Sequence, residues 1–170
     1  MKRRHRMIGT MTLLLLAVGV VAAAQAEPQF AGAWVLDRSQ SQLPAHEHKG
    51  AGGHAAQAQP AAVTLVVAQE GAMLKVTRTR TLGTQERSIT DTYVADGTDQ
   101  PHRGYRGNVV TRAAFEGDRL VVTRTHTKGE RTRSQQSTWT LSPDGKVLTI
   151  DTTLHSPRGD RAIKTVYLRS

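Results

Sequence analysis

Seven basic side chains recur in short runs with alternate spacing: Arg78 and Arg80, Arg87, Arg124 and His126, Arg133, and Arg161. Guanidinium groups hold carboxylates, phosphates and sulfates through paired N–H donors, so such a cluster offers anion-binding chemistry. One acid, Asp91, shares their spacing. Hydrolytic chemistry has no local signature here. Neither GxSxG nor HExxH is present, and His126, Asp91 and Ser137 fall on different segments. No catalytic constellation is identified, and no cofactor is expected. His46, His48 and His54 offer imidazoles at close spacing, but structural zinc wants four placed ligands, often with cysteine, and the chain has no cysteine. A His-rich tract is compositional only, so no metal is expected.

What must position the arginines is a threefold repeat. Each copy opens with an acidic residue and glycine (Glu70-Gly71, Glu116-Gly117, Asp144-Gly145). A leucine follows three positions after the glycine (Leu74, Leu120, Leu148), and a β-branched residue two further on (Val76, Val122, Ile150). Nineteen positions after each leucine stands an aromatic residue: Tyr93, Trp139 and Tyr167. A hairpin used repeatedly in this way predicts an all-β chain, an antiparallel up-and-down β-barrel of eight to ten strands.

Pairing Leu74 with Tyr93 sets Val76 opposite Asp91 and Arg78 opposite Ile89, and leaves Gly83-Thr84 as a two-residue turn. Pairing Leu120 with Trp139 leaves Gly129-Glu130. Glycine in first place is what a type II′ hairpin turn requires, because that position needs positive φ. The third copy leaves Pro157-Arg158 between Ser156 and Gly159, and Ser142-Pro143-Asp144-Gly145 is read as a turn that returns Leu148 beside Trp139.

Side chains alternate across a strand, so this register sorts residues onto two faces. One is a Thr-rich exterior. The other collects Leu65, Val67, Leu74, Val76, Tyr93, Phe115, Leu120, Val122, Trp139, Leu148, Ile150, Ile163 and Tyr167 as the interior. Ahead of the repeats, Phe30, Gly32, Trp34 and Leu36 alternate in the same manner. Toward the Gly83, Gly129 and Pro157 turns the interior face passes from leucines to arginines, which predicts an apolar floor and a cationic mouth. The candidate ligand-binding residues are Arg78, Arg124, His126, Arg133, Tyr93 and Trp139, with a small amphiphilic, anionic or hydrophobic molecule as the partner. The same pattern also fits a solvated rim with Asp91 ion-paired to a wall arginine, and an envelope interaction module with a filled core is the alternative function.

Residues 1–26 read as a signal peptide. Lys2, Arg3, Arg4 and Arg6 form a basic head, Ile8 to Ala24 an apolar run, and Ala24-Gln25-Ala26 a cleavage site. Cleavage after Ala26 implies a periplasmic or secreted protein with no stable membrane span, and leaves one domain over residues 27–170. Four of the positive charges lie in the head, so the formal charge of +9 falls to +5. That mild basicity, with export and no outward aromatic platforms, argues against nucleic acid as a partner. Residues 38–60, rich in Ala, Gly, Gln and His, are expected to form a flexible loop or lid.

The first segment, FAGAWVLDRS (Phe30 to Ser39), and the last, TVYLRS (Thr165 to Ser170), resemble the opening and closing strands of calycin-type barrels, the superfamily of lipocalins and fatty-acid-binding proteins. With Tyr93 followed by an Asp96-Gly97 turn, residues 27–170 are most similar to secreted bacterial lipocalin-like domains. The resemblance implies a barrel with a ligand cavity, and structural roles for Gly32, Trp34 and Tyr167, Trp34 plugging the floor. It also marks a departure. Fatty-acid-binding proteins carry an arginine two residues before the final-strand tyrosine, where this chain has Thr165, so that carboxylate site is not carried over.

Overall fold

The computed structural model describes residues 27–43, 62–104, 107–157 and 159–170. Residues 1–26, read above as a signal peptide, residues 44–60 of the expected loop with His46, His48 and His54, and Tyr105 and Arg158 lie outside the described residues. Ten strands follow one another along the chain: β1 (Gly32–Gln42), β2 (Ala62–Glu70), β3 (Met73–Leu82), β4 (Gln85–Val94), β5 (Asp96–Gly104), β6 (Gly107–Glu116), β7 (Arg119–Lys128), β8 (Arg131–Leu141), β9 (Val147–His155) and β10 (Arg161–Arg169). All pairings are antiparallel, in the order β4-β3-β2-β1-β10-β9-β8-β7-β6-β5. Because β1 pairs with β10, the sheet curls into a nearly closed barrel. Its two edge strands, β4 and β5, share no ladder, and across this seam β4 lies against β6.

The hairpin registers follow from turn chemistry. Leu74 faces Tyr93, Leu120 faces Trp139 and Leu148 faces Tyr167. Gly83 and Gly129 have φ of 60° and 57°, and among the described residues only glycines have positive φ, so each turn is glycine first and an ordinary residue second. One register differs from expectation. Leu148 faces Leu141, and Trp139 faces Ile150. The Ser142–Gly145 turn forms as expected, Gly145 N–H donating to the Ser142 carbonyl at 2.8 Å, but the ladder closes two residues later, where Ser142 N–H donates to the Val147 carbonyl at 2.8 Å. Asp144 holds that longer loop, accepting from the Ser142 hydroxyl at 2.6 Å and the Lys146 N–H at 3.2 Å. Those bonds hold its carboxyl below the usual range.

A second difference concerns residues 38–42, expected in the loop and found in β1. The strand continues through a bulge between Asp37 and Gln42, where the Ser41 hydroxyl accepts from Val166 N–H at 2.9 Å and so replaces a missing ladder partner.

One end of the barrel is sealed by rings and leucines. Phe30, Trp34, Leu65, Leu74, Leu120 and Leu148 are fully buried. Phe30 meets Trp139 edge to face at 6.0 Å, and Trp139 meets Tyr93 likewise at 6.4 Å. Trp34 donates its indole N–H to the Phe30 carbonyl at 3.1 Å. Over its ring lies the Arg169 guanidinium, 4.2 Å from the centroid, donating from Nη1 to the Ala31 carbonyl and from Nε to the Gly145 carbonyl. The glycine two before the tryptophan makes room for this clasp. A Cβ at Gly32 would stand 2.4 Å from Arg169 Nη1, on a backbone with φ of 145°. Gly32→Ala is therefore expected to lower stability by about 1–3 kcal/mol, read as an earlier midpoint in urea unfolding.

Candidate ligand cavity

Above the sealed floor the barrel encloses a cavity of roughly 440 Å³. Its lower surface is Tyr93, Trp139 and Tyr167 with Val122 and Ile150. Guanidinium groups reach it from three strands: Arg38 on β1, Arg78 and Arg80 on β3, and Arg124 on β7. Across from them, β8, β9 and β10 contribute uncharged polar groups, Gln135, Ser137, Thr152 and Thr165. The lip carries Leu43 and Leu154.

The arginines are not equivalent. Arg124 Nη2 bonds Asp91 Oδ1 at 2.9 Å, a link that spans the seam from β7 to β4. The same nitrogen lies 3.5 Å from the Tyr93 hydroxyl, and the guanidinium carbon sits 5.9 Å from the centre of that ring. Asp91 offsets the charge of Arg124. Arg78 is placed differently, because its Nε is buried with no hydrogen-bond partner. A buried donor in this state is costly until something accepts from it. The polar wall is internally bonded, Ser137 Oγ standing 3.0 Å from Thr152 Oγ1 and 3.3 Å from Gln135 Nε2.

Of the residues singled out from sequence, Arg78, Arg124, Tyr93 and Trp139 line the cavity. His126 and Arg133 do not. They face each other on β7 and β8, one rung beyond Ser134, where β8 last pairs with β9, and both stand exposed and outside the cavity lining. Parity set their side correctly, but not their height. Arg87 and Arg161 are likewise exposed and away from the cavity lining, while Asp91 sits at the seam. Some polar lining residues went unnamed in the sequence although the signal was there. Gln135 and Thr152 share parity with Trp139 and Ile150, and Arg38 shares it with Trp34 and Leu36. The last was hidden by its position at the start of the presumed loop.

No family model and no curated protein matches this chain. Solved structures do. Zebrafish ileal bile acid-binding protein complexed with cholic acid aligns at a TM-score of 0.56 and 15% identity, over 83% of this chain and 98% of that one. Lipid binding protein 8 of Caenorhabditis elegans aligns at 0.54 and 12%, over 83% and 95%. A secretory abundant heat soluble protein from Ramazzottius varieornatus aligns at 0.54 and 10%, over 86% and 98%. At such identities the likeness shows the fold, a calycin-type β-barrel.

Burial pushes the Tyr93 phenol above its ordinary value of 10.0; the nearby Asp91 carboxylate adds to this, and Arg124 and Arg78 oppose it. Below pH 10 both the folded and unfolded states keep the proton, and this contribution to stability is intact. Above it the unfolded chain releases the proton first, so stability falls as pH rises through the folded value. Wild type is expected to lose stability more steeply than Tyr93→Phe as pH rises above about 10, checked by urea unfolding on either side of that value.

Proposed function

We propose that this chain is an exported, calycin-type carrier whose barrel holds a small amphiphilic anion, tail on the aromatic floor and head group against Arg78 and Arg80. The observation that carries this reading is the open interior. A volume of roughly 440 Å³ falls within the ~300–1,000 Å³ usual for small-molecule sites, and its walls divide into an apolar floor and a cationic side. A filled-core module would leave no such void above the packed cluster of Leu74, Leu120, Trp139 and Leu148. The neighbours with this fold include a bile acid-binding protein solved with cholic acid and a lipid binding protein, which supports the same class of guest.

Arg78 is favoured over Arg124 as the anchor on electrostatic grounds. Arg124 already has Asp91, whereas an anion beside Arg78 would accept from its buried Nε and supply the missing counter-charge. Export is supported by the basic head, the apolar run and the Ala24-Gln25-Ala26 site.

Anilinonaphthalene sulfonate, itself an amphiphilic anion, serves as the probe. Fluorescence titration is expected to show saturable binding that Arg78→Ala weakens at least tenfold, the scale of a charge-assisted hydrogen bond, and Arg124→Ala weakens less. Absence of saturable binding, together with no lipid or organic acid in native mass spectra of protein from its own host, would overturn the carrier reading. N-terminal sequencing of that same protein is expected to begin at Glu27.

A further inference from the structure

The sheet has two free edges, and they are not alike. β5 is interrupted twice, since its register against β6 shifts between Asp96 and Asp99 and Pro101 brings no backbone N–H. Both devices discourage a further strand from adding to an edge. β4 has neither. It pairs with β3 without a bulge from Val94 to Gln85, and residues 85–90 and Thr92 are exposed. At its centre stands Ile89, opposite Arg78 and 63% exposed.

The two-residue Gly83-Thr84 turn makes Leu82 and Gln85 a hydrogen-bonded pair, so Arg87, Ile89 and Asp91 direct their backbone groups at β3. Glu86, Ser88, Thr90 and Thr92 direct theirs outward. Val94 keeps the same phase, because its carbonyl accepts from Gln100 Nε2 across the seam at 3.1 Å. An edge with this row of open donors and acceptors, and with no proline, bulge or lysine, is a template for another strand.

The strand that fits it is β4 of a second copy, antiparallel and centred on Ile89. Each Arg87 then stands opposite the partner's Asp91, Ile89 opposite the partner's Ile89, and Ser88 opposite the partner's Thr90. The outward-pointing residues meet one another, Ser88 with the partner's Thr90 and Glu86 with the partner's Thr92, as hydrogen-bonded pairs. On the outer face the hydroxyl contacts of Thr77 with Thr90 and Thr79 with Ser88, at 2.9 and 2.8 Å, would continue across the junction as one row. On the other face Arg124 takes Oδ1 of Asp91, and Oδ2 has no bond among the described residues, which leaves it for the partner's Arg87. Other alignments are poorer. Centring on Ser88 or Thr90 sets Ile89 against a charge, and centring on Arg87 or Asp91 opposes like charges.

We propose that the protein self-associates through the β4 edge, as a two-fold dimer in which the strands of the two copies form one ladder. Opposed strands turn the two cavity mouths in opposite directions. The contact needs no guest in either cavity, so it stands or falls apart from the carrier reading. A ladder over residues 86–92 is short of the ~20–30 residues a side of a standard interface, so exchange with monomer is expected at micromolar concentrations.

Sedimentation equilibrium from about 10 to 500 μM is expected to show the mass rise from monomer to dimer. Ser88→Pro blunts β4 as Pro101 blunts β5, removing an outward N–H and leaving the β3 ladder whole, and is expected to weaken self-association about tenfold or more. Val66→Lys, on the outer face of β2 where Val66 is 52% exposed, is expected to change it little. Thermal melts establish that each variant is folded. Register is read separately by oxidative cross-linking, because the chain has no cysteine of its own. Ile89→Cys sets two thiols opposite each other, with Cα atoms about 4.5 Å apart and within disulfide reach. Arg87→Cys sets them about 13 Å apart along the ladder. Ready cross-linking is expected from the first and not the second, and it decides the matter if Ser88→Pro fails to fold. Monomer mass throughout, an undiminished dimer in folded Ser88→Pro, loss of the dimer in Val66→Lys, or equal cross-linking by the two cysteine variants would each overturn the β4 contact.

Discussion

Closure of the sheet rests on β1 pairing with β10, the contact between the two ends of the chain. Leu36 faces Tyr167 and Trp34 faces Arg169 in that ladder, so the same rungs that join first strand to last also place two floor residues. The Arg169 guanidinium reinforces the joint by bridging two backbone carbonyls while covering the Trp34 ring. With no cysteine in the chain, nothing covalent supplements this arrangement. Burial of the floor side chains and cross-strand pairing must supply the stability. The contact also has the longest loop to close, which makes it the pairing whose loss would expose the most apolar surface.

Inside the barrel, electrostatics divide the work between two arginines that look alike in sequence. Arg124 is drawn to Asp91 and helps to hold β7 against β4, whereas Arg78 has no such partner at its Nε. Solvation explains why the pairing is tolerated. Both members remain partly exposed, at 26% and 32% of their side-chain surface, so neither bears the full penalty of a buried ion. The hydroxyl and amide groups of Ser137, Thr152 and Gln135 satisfy one another, so this wall, unlike Arg78 opposite it, meets the chamber with its polar groups bonded.

The parts legible in the sequence are those governed by period two and by tight turns. Leu74 facing Tyr93 and Leu120 facing Trp139 could be read because a two-residue glycine-first turn leaves one register. Where the connection lengthens, that constraint is lost. The Ser142 to Val147 loop moved β9 by two residues relative to the expected pairing, and parity could not reveal it because a two-residue slip keeps every side chain on its own face. Alternation is blind to height in the same way. His126 and Arg133 have the parity of Val122 and Trp139, yet they lie beyond the last rung that β8 shares with β9. Arg38 escaped notice for a different reason. The run from Arg38 to Gln42 has little hydrophobic pattern, and it remains in β1 through a side-chain hydroxyl standing in for a backbone acceptor.

The seam between β4 and β5 gives this cylinder a mechanical character of its own. Nine ladders run around the wall, and at the tenth position a hydrogen bond from Gln100 to the Val94 carbonyl and the Arg124 link to Asp91 stand in for a ladder among the described residues. A split ring is more compliant than a continuous one. Parting those bonds, with the packing of β4 against β6 beside them, would widen the girth while every ladder stays intact.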